Sequence, residues 1–206
     1  MEQRSNEWFQ ARLGKVTASG IHAVVARLKN NSPTAEYERY KYKKLIERLI
    51  GQTEGSFVTA DMQWGIDYEE EAIKEYVFIN ACELSTCSFI EHPKIPMSGA
   101  SPDGLVGKDG LIEVKCPRSQ THLNFILNDE ISANYLSQIY WQLACTGREW
   151  CDFVSFDPRF TGPMASLRIK EKRIYRNDEI IKDMEAKVIQ FLEELNKEEQ
   201  QILNKI

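Results

Sequence analysis

No apolar run in the chain approaches the roughly 18 to 20 residues that a membrane-spanning helix needs, so a membrane protein is not expected. The N-terminal stretch "MEQRSNEWFQ" is polar and has no apolar signal core, which argues against secretion. Cysteine is sparse and odd in number: Cys82, Cys87, Cys116, Cys145 and Cys151 fit no common zinc spacing, and reduced thiols in a cytoplasm are the expectation. Histidine is scarcer still. Only His22, His92 and His122 occur, and none is placed by spacing to serve a cysteine nucleophile, so Cys116 reads as packing. Internal repeats and low-complexity linkers are absent, so the 206 residues are expected to form one domain spanning 1–206.

What is present suits a globular chain: 42% hydrophobic, 28% charged and a net charge of −5. The charge is uneven. Between Arg27 and Arg48 there are seven basic residues against three acids, whereas from Lys182 onward there are four lysines against six acids. A basic segment in an acidic chain is compatible with a phosphate-bearing partner held in one place.

Helical patterns come first. "NEWFQARLG" has Ser5 or Asn6 as cap and Gly14 as stop, and a second helix starts near Thr17 or Ser19. A third runs from Pro33 to Gly51 with Tyr42, Leu45, Ile46 and Leu49 at helical spacing, and a fourth covers 61–80. Strand patterns begin near Ser85 and include "IPMSGASPDGLVG", the turn "KDG" and "LIEVKCP". Helices around "THLNFILN" and "NYLSQIYWQLACTG", strands at "EWCDFVSFD" and "MASLRIKEK", and an amphipathic helix from Asn177 complete an α/β reading.

One stretch carries chemistry. In "LIEVKCP" side chains alternate, so Leu111, Glu113 and Lys115 share one face while Ile112, Val114 and Cys116 share the other. The turn folds "SPDGLV" back alongside, which brings Asp103 toward Glu113. Two carboxylates and a lysine at one place suit a hard divalent cation, an activated water and phosphodiester hydrolysis. Alone, Pro-Asp-Gly is an ordinary turn and Glu-x-Lys an ordinary exposed face; their conjunction in an apolar strand is what points to a site. Glu69, in "YEEEA", lies beside a stripe formed by Trp64, Tyr68, Ala72 and Tyr76, where a solvated acidic patch is the plain alternative. Gln138 sits in an apolar helix between Tyr135 and Trp141, as either a core-edge amide or a site residue.

The segments "EWFQARLGKVTAS", "WGIDYEEEA", "GASPDGL", "IEVKCP" and "YLSQIYWQL", in this order and followed by "FDPR", resemble the lambda-type exonucleases, viral recombination nucleases of the PD-(D/E)xK superfamily. The resemblance implies a PD-(D/E)xK nuclease core with a central mixed β-sheet flanked by helices. It also implies a Mg²⁺-dependent enzyme, with two ions and Mn²⁺ as a substitute, that degrades the 5′-ended strand of linear double-stranded DNA to mononucleotides. A 3′ single strand is left for recombination, and the implied partners are a single-strand annealing protein and two further copies in a homotrimer. Position by position, Asp103 and Glu113 become metal ligands with the Val114 carbonyl, Lys115 activates the attacking water, and Glu69 and Gln138 support the site. Arg12, Ser19 and Ser101 become a pocket for the terminal 5′-phosphate, in keeping with guanidinium–phosphate pairing. Thr121 stands where the lambda-type enzyme has an arginine, and Arg118 is the nearby substitute. Two other readings stand beside this one. A different PD-(D/E)xK endonuclease, or an iron–sulfur nuclease, is one, although the scattered cysteines disfavour a cluster. A non-catalytic DNA-end binding or annealase-recruiting module is the other, disfavoured by the intact Asp103, Glu113 and Lys115.

Overall fold

Local capping chemistry draws the boundaries of the helices. The computed structural model describes residues 3–53 and 58–205. Helix α1, Asn6–Arg12, is capped by Ser5, whose Oγ accepts from Trp8 N at 3.2 Å. Its chain then reverses through Gly14, which has a φ of +66° that glycine adopts without Cβ strain. The expected second helix is broken up. Val16–Thr17 form strand β1, Ala18–Gly20 a 3₁₀ turn, and only Ile21–Val25 are α-helical, α2, with no side-chain cap from Thr17. Thr17 and Val16 are drawn into pairing with a later strand, and that ladder outweighs the local capping signal.

Helix α3, Ala35–Ile50, is capped by Thr34, directly after Pro33; the Thr34 Oγ1 accepts from Tyr37 N at 3.1 Å, and the helix ends at left-handed Gly51. Its buried face differs from the expected one. Tyr42 and Leu49 point to solvent, whereas Tyr37, Lys41, Lys44 and Leu45 are buried. The period is right but the face is shifted by about one residue, because lysine stems pack while their ammonium groups reach acids: Lys41 Nζ lies 2.8 Å from Glu198 and Lys44 Nζ 2.8 Å from Glu47. Helix α4, Ala60–Asn80, is capped by Thr59.

Strands β2, Leu84–Ser85; β3, Ile90–Glu91; β4, Ser98–Ala100; β5, Gly104–Val106; and β6, Gly110–Lys115, follow, then α5, Ser119–Asn128, and α6, Ala133–Thr146. Strand β7, Trp150–Phe156, leads through a 3₁₀ segment, Gly162–Leu167, to β8, Ile169–Tyr175, and helix α7, Asp178–Leu203, with Asn177 as cap. The expected strand over "MASLRIKEK" therefore starts only at Ile169; the part before it coils after Pro163.

Among the described residues there are two sheets, a three-stranded one in the order β1-β4-β3 and a five-stranded one in the order β2-β5-β6-β7-β8. The larger is mixed: β6 and β7 are parallel, and its other pairs are antiparallel. One face, including Leu111 and Phe153, joins α2, α3, α6 and α7 in the main core around Trp141, Phe191 and Leu195. The opposite face, with Ile112, Val114, Cys116, Val154 and Phe156, packs against Ala72 and Tyr76 of α4. This is the α/β architecture expected, a mixed sheet between helical layers, and among the described residues no helix is long and apolar enough to cross a membrane. All five cysteines are free, and burial lifts the Cys116 thiol to about 12, which fits packing and not nucleophilic chemistry.

Candidate active site

The break between β4 and β5 builds the site. The segment expected to fold back as one run instead serves two sheets, and Ser101–Asp103 bridge them at the sheet edge. Gly104 pairs with Ile112, so one step further Asp103 comes opposite Glu113. Val114 N donates to Asp103 Oδ2 at 2.7 Å. Strand β6 thus presents Glu113 to the α6 layer, as its alternation requires, and carries Lys115 beyond it toward Tyr135, whose ring centre lies 5.4 Å from Nζ.

Glu113 is fully buried, and its carboxylate is held at both oxygens. Oε1 accepts from Lys115 Nζ and, at 2.6 Å, from Gln138 Nε2; Oε2 accepts from Gln142 Nε2 at 2.5 Å. Gln138 and Gln142 are four apart on α6 and share one face. Reading the sequence found Gln138 and missed Gln142. The i, i+4 spacing of two amides in an otherwise apolar helix was the available signal.

Burial first, and the charge of Glu113 second, hold the Asp103 carboxyl well above the usual carboxylate range, against the pull of Lys115. For Lys115, burial pulls downward, but Glu113 and Asp103 outweigh it and keep the ammonium protonated. Two carboxylates facing one ammonium leave an excess negative charge in a water-poor place. A hard divalent cation would offset it, and the oxygen-only donor set of Asp103, Glu113 and the Val114 carbonyl fits such an ion. Among the described residues no group of three or more His, Cys, Asp or Glu side chains converges, so backbone and water oxygens would complete the coordination.

A cleft of about 1030 Å³ opens over this pair, lined also by residues of α1 and α4. Glu69 lines it, and its Oε2 accepts from Arg4 Nη2 at 2.6 Å. At the α1 side, Arg12 donates to Ser101 Oγ at 3.0 Å and to Ser19 Oγ at 3.2 Å, while its guanidinium stacks on Trp8 at 3.9 Å from the ring centre. Trp8 Nε1 also donates to Ser101 Oγ, at 3.0 Å. Burial lowers Arg12 to about 10, and among the described residues it has no acidic partner. Arg12, Ser19 and Ser101 are therefore brought together as the sequence suggested; Trp8 and Arg4 are additions. Arg118 lines the far rim with its Nε 2.8 Å from Asp61 Oδ1, beside Arg159, which lies over Trp64 at 4.6 Å and is paired with Asp157.

Comparison with known proteins matches residues 7–149 to the YqaJ-like viral recombinase domain. The chain belongs to this family. The YqaJ-like assignment agrees with the resemblance to lambda-type exonucleases. The crystal structure of LHK-Exo, an alkaline exonuclease from Laribacter hongkongensis, superposes with a TM-score of 0.90 at 39% identity, covering 98% of this chain and 97% of that one. That protein has also been crystallised in complex with dAMP. A phage-related exonuclease from Haemophilus somnus has a TM-score of 0.70 at 18% identity over 93% of this chain and 96% of that one, a likeness of fold alone. Among curated proteins, the uncharacterized protein R354 of Acanthamoeba polyphaga mimivirus is 27% identical over 173 residues, and the chain spans 29% of that protein's length. Arg12, Ser19, Glu69, Ser101, Asp103, Glu113, Lys115, Gln138 and Gln142 lie inside the matched segment, and Arg4 and Arg159 outside it.

Proposed function

We propose that this protein is a divalent-cation-dependent deoxyribonuclease, an exonuclease that removes mononucleotides from the 5′-ended strand of linear double-stranded DNA. The observation that carries the reading is the convergence of Asp103, Glu113 and Lys115 in a cleft that also holds Arg12. The family and the likeness to an alkaline exonuclease support it. Magnesium is the proposed ion, two of them with manganese as substitute, because small all-oxygen sites that retain water suit it.

Asp103, Glu113 and the Val114 carbonyl would hold the ion. When bound, such a cation polarises a phosphoryl oxygen and lowers the pKa of water. Lys115, protonated beside Glu113, orients the attacking water and stabilises charge developing on the phosphoryl group. Gln138 and Gln142 fix the plane of the Glu113 carboxylate, so its oxygens need not reorganise during the reaction. Glu69, steadied by Arg4, borders the same space and would accept a hydrogen bond from a metal-bound water. Arg12, Ser19 and Ser101 take the terminal 5′-phosphate: a guanidinium with only hydroxyl partners gains most from an anion. Arg118 or its neighbours would grip DNA beyond that phosphate.

The single domain over 1–206, action in the cytoplasm, a homotrimer around the DNA and a single-strand annealing protein as recombination partner are parts of the same proposal, resting on the family resemblance. Linear duplex labelled at the 5′ or the 3′ end, with 5′-phosphate or 5′-hydroxyl termini, tests it. Early release of the 5′ label as mononucleotide, faster from phosphorylated ends, is expected. Early release of the 3′ label would reverse the polarity, and equal rates at both termini would remove Arg12 from phosphate recognition.

A further inference from the structure

Of the seven basic residues between Arg27 and Arg48, most are occupied. Lys41 is tied to Glu38 and Glu198, Lys44 to Glu47, and Arg48 to Gly14 O, Asn196 and Glu199. Arg27 donates to Val24 O and Ala26 O. Lys29, Arg39 and Lys43 differ. All three are exposed, and among the described residues none forms an ion pair; Lys29 precedes α3, whereas Arg39 and Lys43 lie on it, with Glu36 one turn away. They stand four apart on α3, a like-charge spacing that costs an isolated helix a few tenths of a kcal/mol. A chain of net charge −5 has acids to spare for neutralising them.

These two cations line a second groove of about 440 Å³, between α3 and the first turn of α6. That groove is continuous with the catalytic cleft: Ser19, Tyr135 and Gln138 line both. Its remaining wall offers the faces of Tyr40 and Tyr135, the amide of Asn134 and, at one side, the exposed carboxylate of Glu36, so the two cations outnumber the one acid there. His22 Nδ1 is buried there without a hydrogen-bond partner. Two unpaired cations, aromatic faces and free amide and imidazole groups are the surface a nucleotide phosphate and its sugar-base body require.

We infer that the α3 groove is a second phosphate subsite, in which Arg39 and Lys43 hold a backbone phosphate of the nucleic acid whose end occupies the catalytic cleft. The inference rests on the nuclease reading and extends it to a subsite that the Asp103, Glu113 and Arg12 cluster does not include. The same phosphate chemistry has a second source, the released mononucleotide.

The test is equilibrium binding of 5′-phosphorylated linear duplex in EDTA, where hydrolysis is blocked, at a series of salt concentrations, for wild type and for the Arg39→Gln/Lys43→Gln variant. Each phosphate neutralised on B-DNA contributes about 0.9 to the slope of log K against log salt, so the double variant, which removes both cations from one phosphate, is expected to lose about 0.9 in slope and each single variant part of that. An Arg39→Lys/Lys43→Arg variant should keep the slope. A parallel competition arm uses dAMP: unchanged competition with a reduced slope assigns the subsite to the polymer backbone. Weakened dAMP competition with an unchanged slope keeps the phosphate subsite and assigns it to the product. If the variant keeps its thermal midpoint and neither quantity moves, the inference is wrong. Wild type that binds no duplex would end the nuclease reading itself, whereas wild-type binding with an unaltered variant ends only the groove.

Discussion

At the scale of single residues, the site is decided by how Glu113 is held. A wholly buried carboxylate is costly unless each oxygen is satisfied, and here Lys115, Gln138 and Gln142 supply the donors. Gln142 is the informative member because, among the described residues, its one side-chain hydrogen bond goes to Glu113 Oε2, and it lies outside the cleft lining. Replacing it with leucine leaves that oxygen unpaired. Supporting partners of this kind are worth about 10- to 100-fold in metal affinity or activity, so Gln142→Leu should raise the Mg²⁺ concentration for half-maximal hydrolysis by at least about tenfold. Isothermal titration of Mg²⁺ into the variant reads the same change without catalysis, and an unaltered affinity would reduce Gln142 to core filling. The residues that sequence reading identified, Asp103, Glu113 and Lys115, share a spacing with a stated chemical use. Gln142 carries only its i, i+4 spacing to Gln138, and a glutamine inside "IYWQLAC" is told from a core-edge amide only once β6 is known to run beneath it.

At the scale of elements, the β5–β6 hairpin sets the distance between the two carboxylates. Arg148, just past α6, clamps it by donating from Nη1 to Val106 O, Gly107 O and Gly110 O, the last at 2.7 Å. Nothing in the sequence linked an arginine in "TGREW" to a turn some forty residues earlier, because the link depends on the parallel pairing of β6 with β7. Arg148→Ala should strip three carbonyls of a charged donor and loosen the register of Asp103 against Glu113. The expected loss is about 1.5–3 kcal/mol of stability, read by denaturant unfolding, together with reduced hydrolysis. Helix periods were legible and faces less so: α3 was placed correctly, but its buried side follows the lysine stems of Lys41 and Lys44, which apolar counting ignores. The short β1 strand was illegible for a related reason, since Val16 and Thr17 become strand only through Ser98 and Gly99.

At the scale of the whole molecule, acid stability depends on a histidine remote from the chemistry. His92 is buried and stacked on Trp141, with ring centres 4.9 Å apart. Its Nδ1 accepts from Lys94 N and Ile95 N, each at 3.2 Å, so the ring is a neutral acceptor. Burial lowers its pKa; Glu185 opposes that shift, while Lys94 and Arg176 add to it. A group whose folded pKa lies below its unfolded value stabilises the protein fully above the unfolded value, near 6.5, and loses that contribution as pH falls through the window beneath it. The thermal midpoint should therefore fall between pH 7 and 5, and His92→Asn should flatten that fall while lowering the midpoint at pH 7. A pH dependence equal to that of the wild type would contradict this role.

The proposed activity, metal-dependent hydrolysis of DNA, rests on the family and on the cluster of Asp103, Glu113 and Lys115. The most direct measurement is mononucleotide release from 5′-phosphorylated linear duplex in Mg²⁺ and in EDTA, by wild type and by Asp103→Asn. Release by wild type in Mg²⁺ alone, with EDTA and the variant each reducing it by several orders of magnitude, is predicted. Release that survives both chelation and the Asp103→Asn substitution would contradict the assignment of this carboxylate pair as the catalytic metal site.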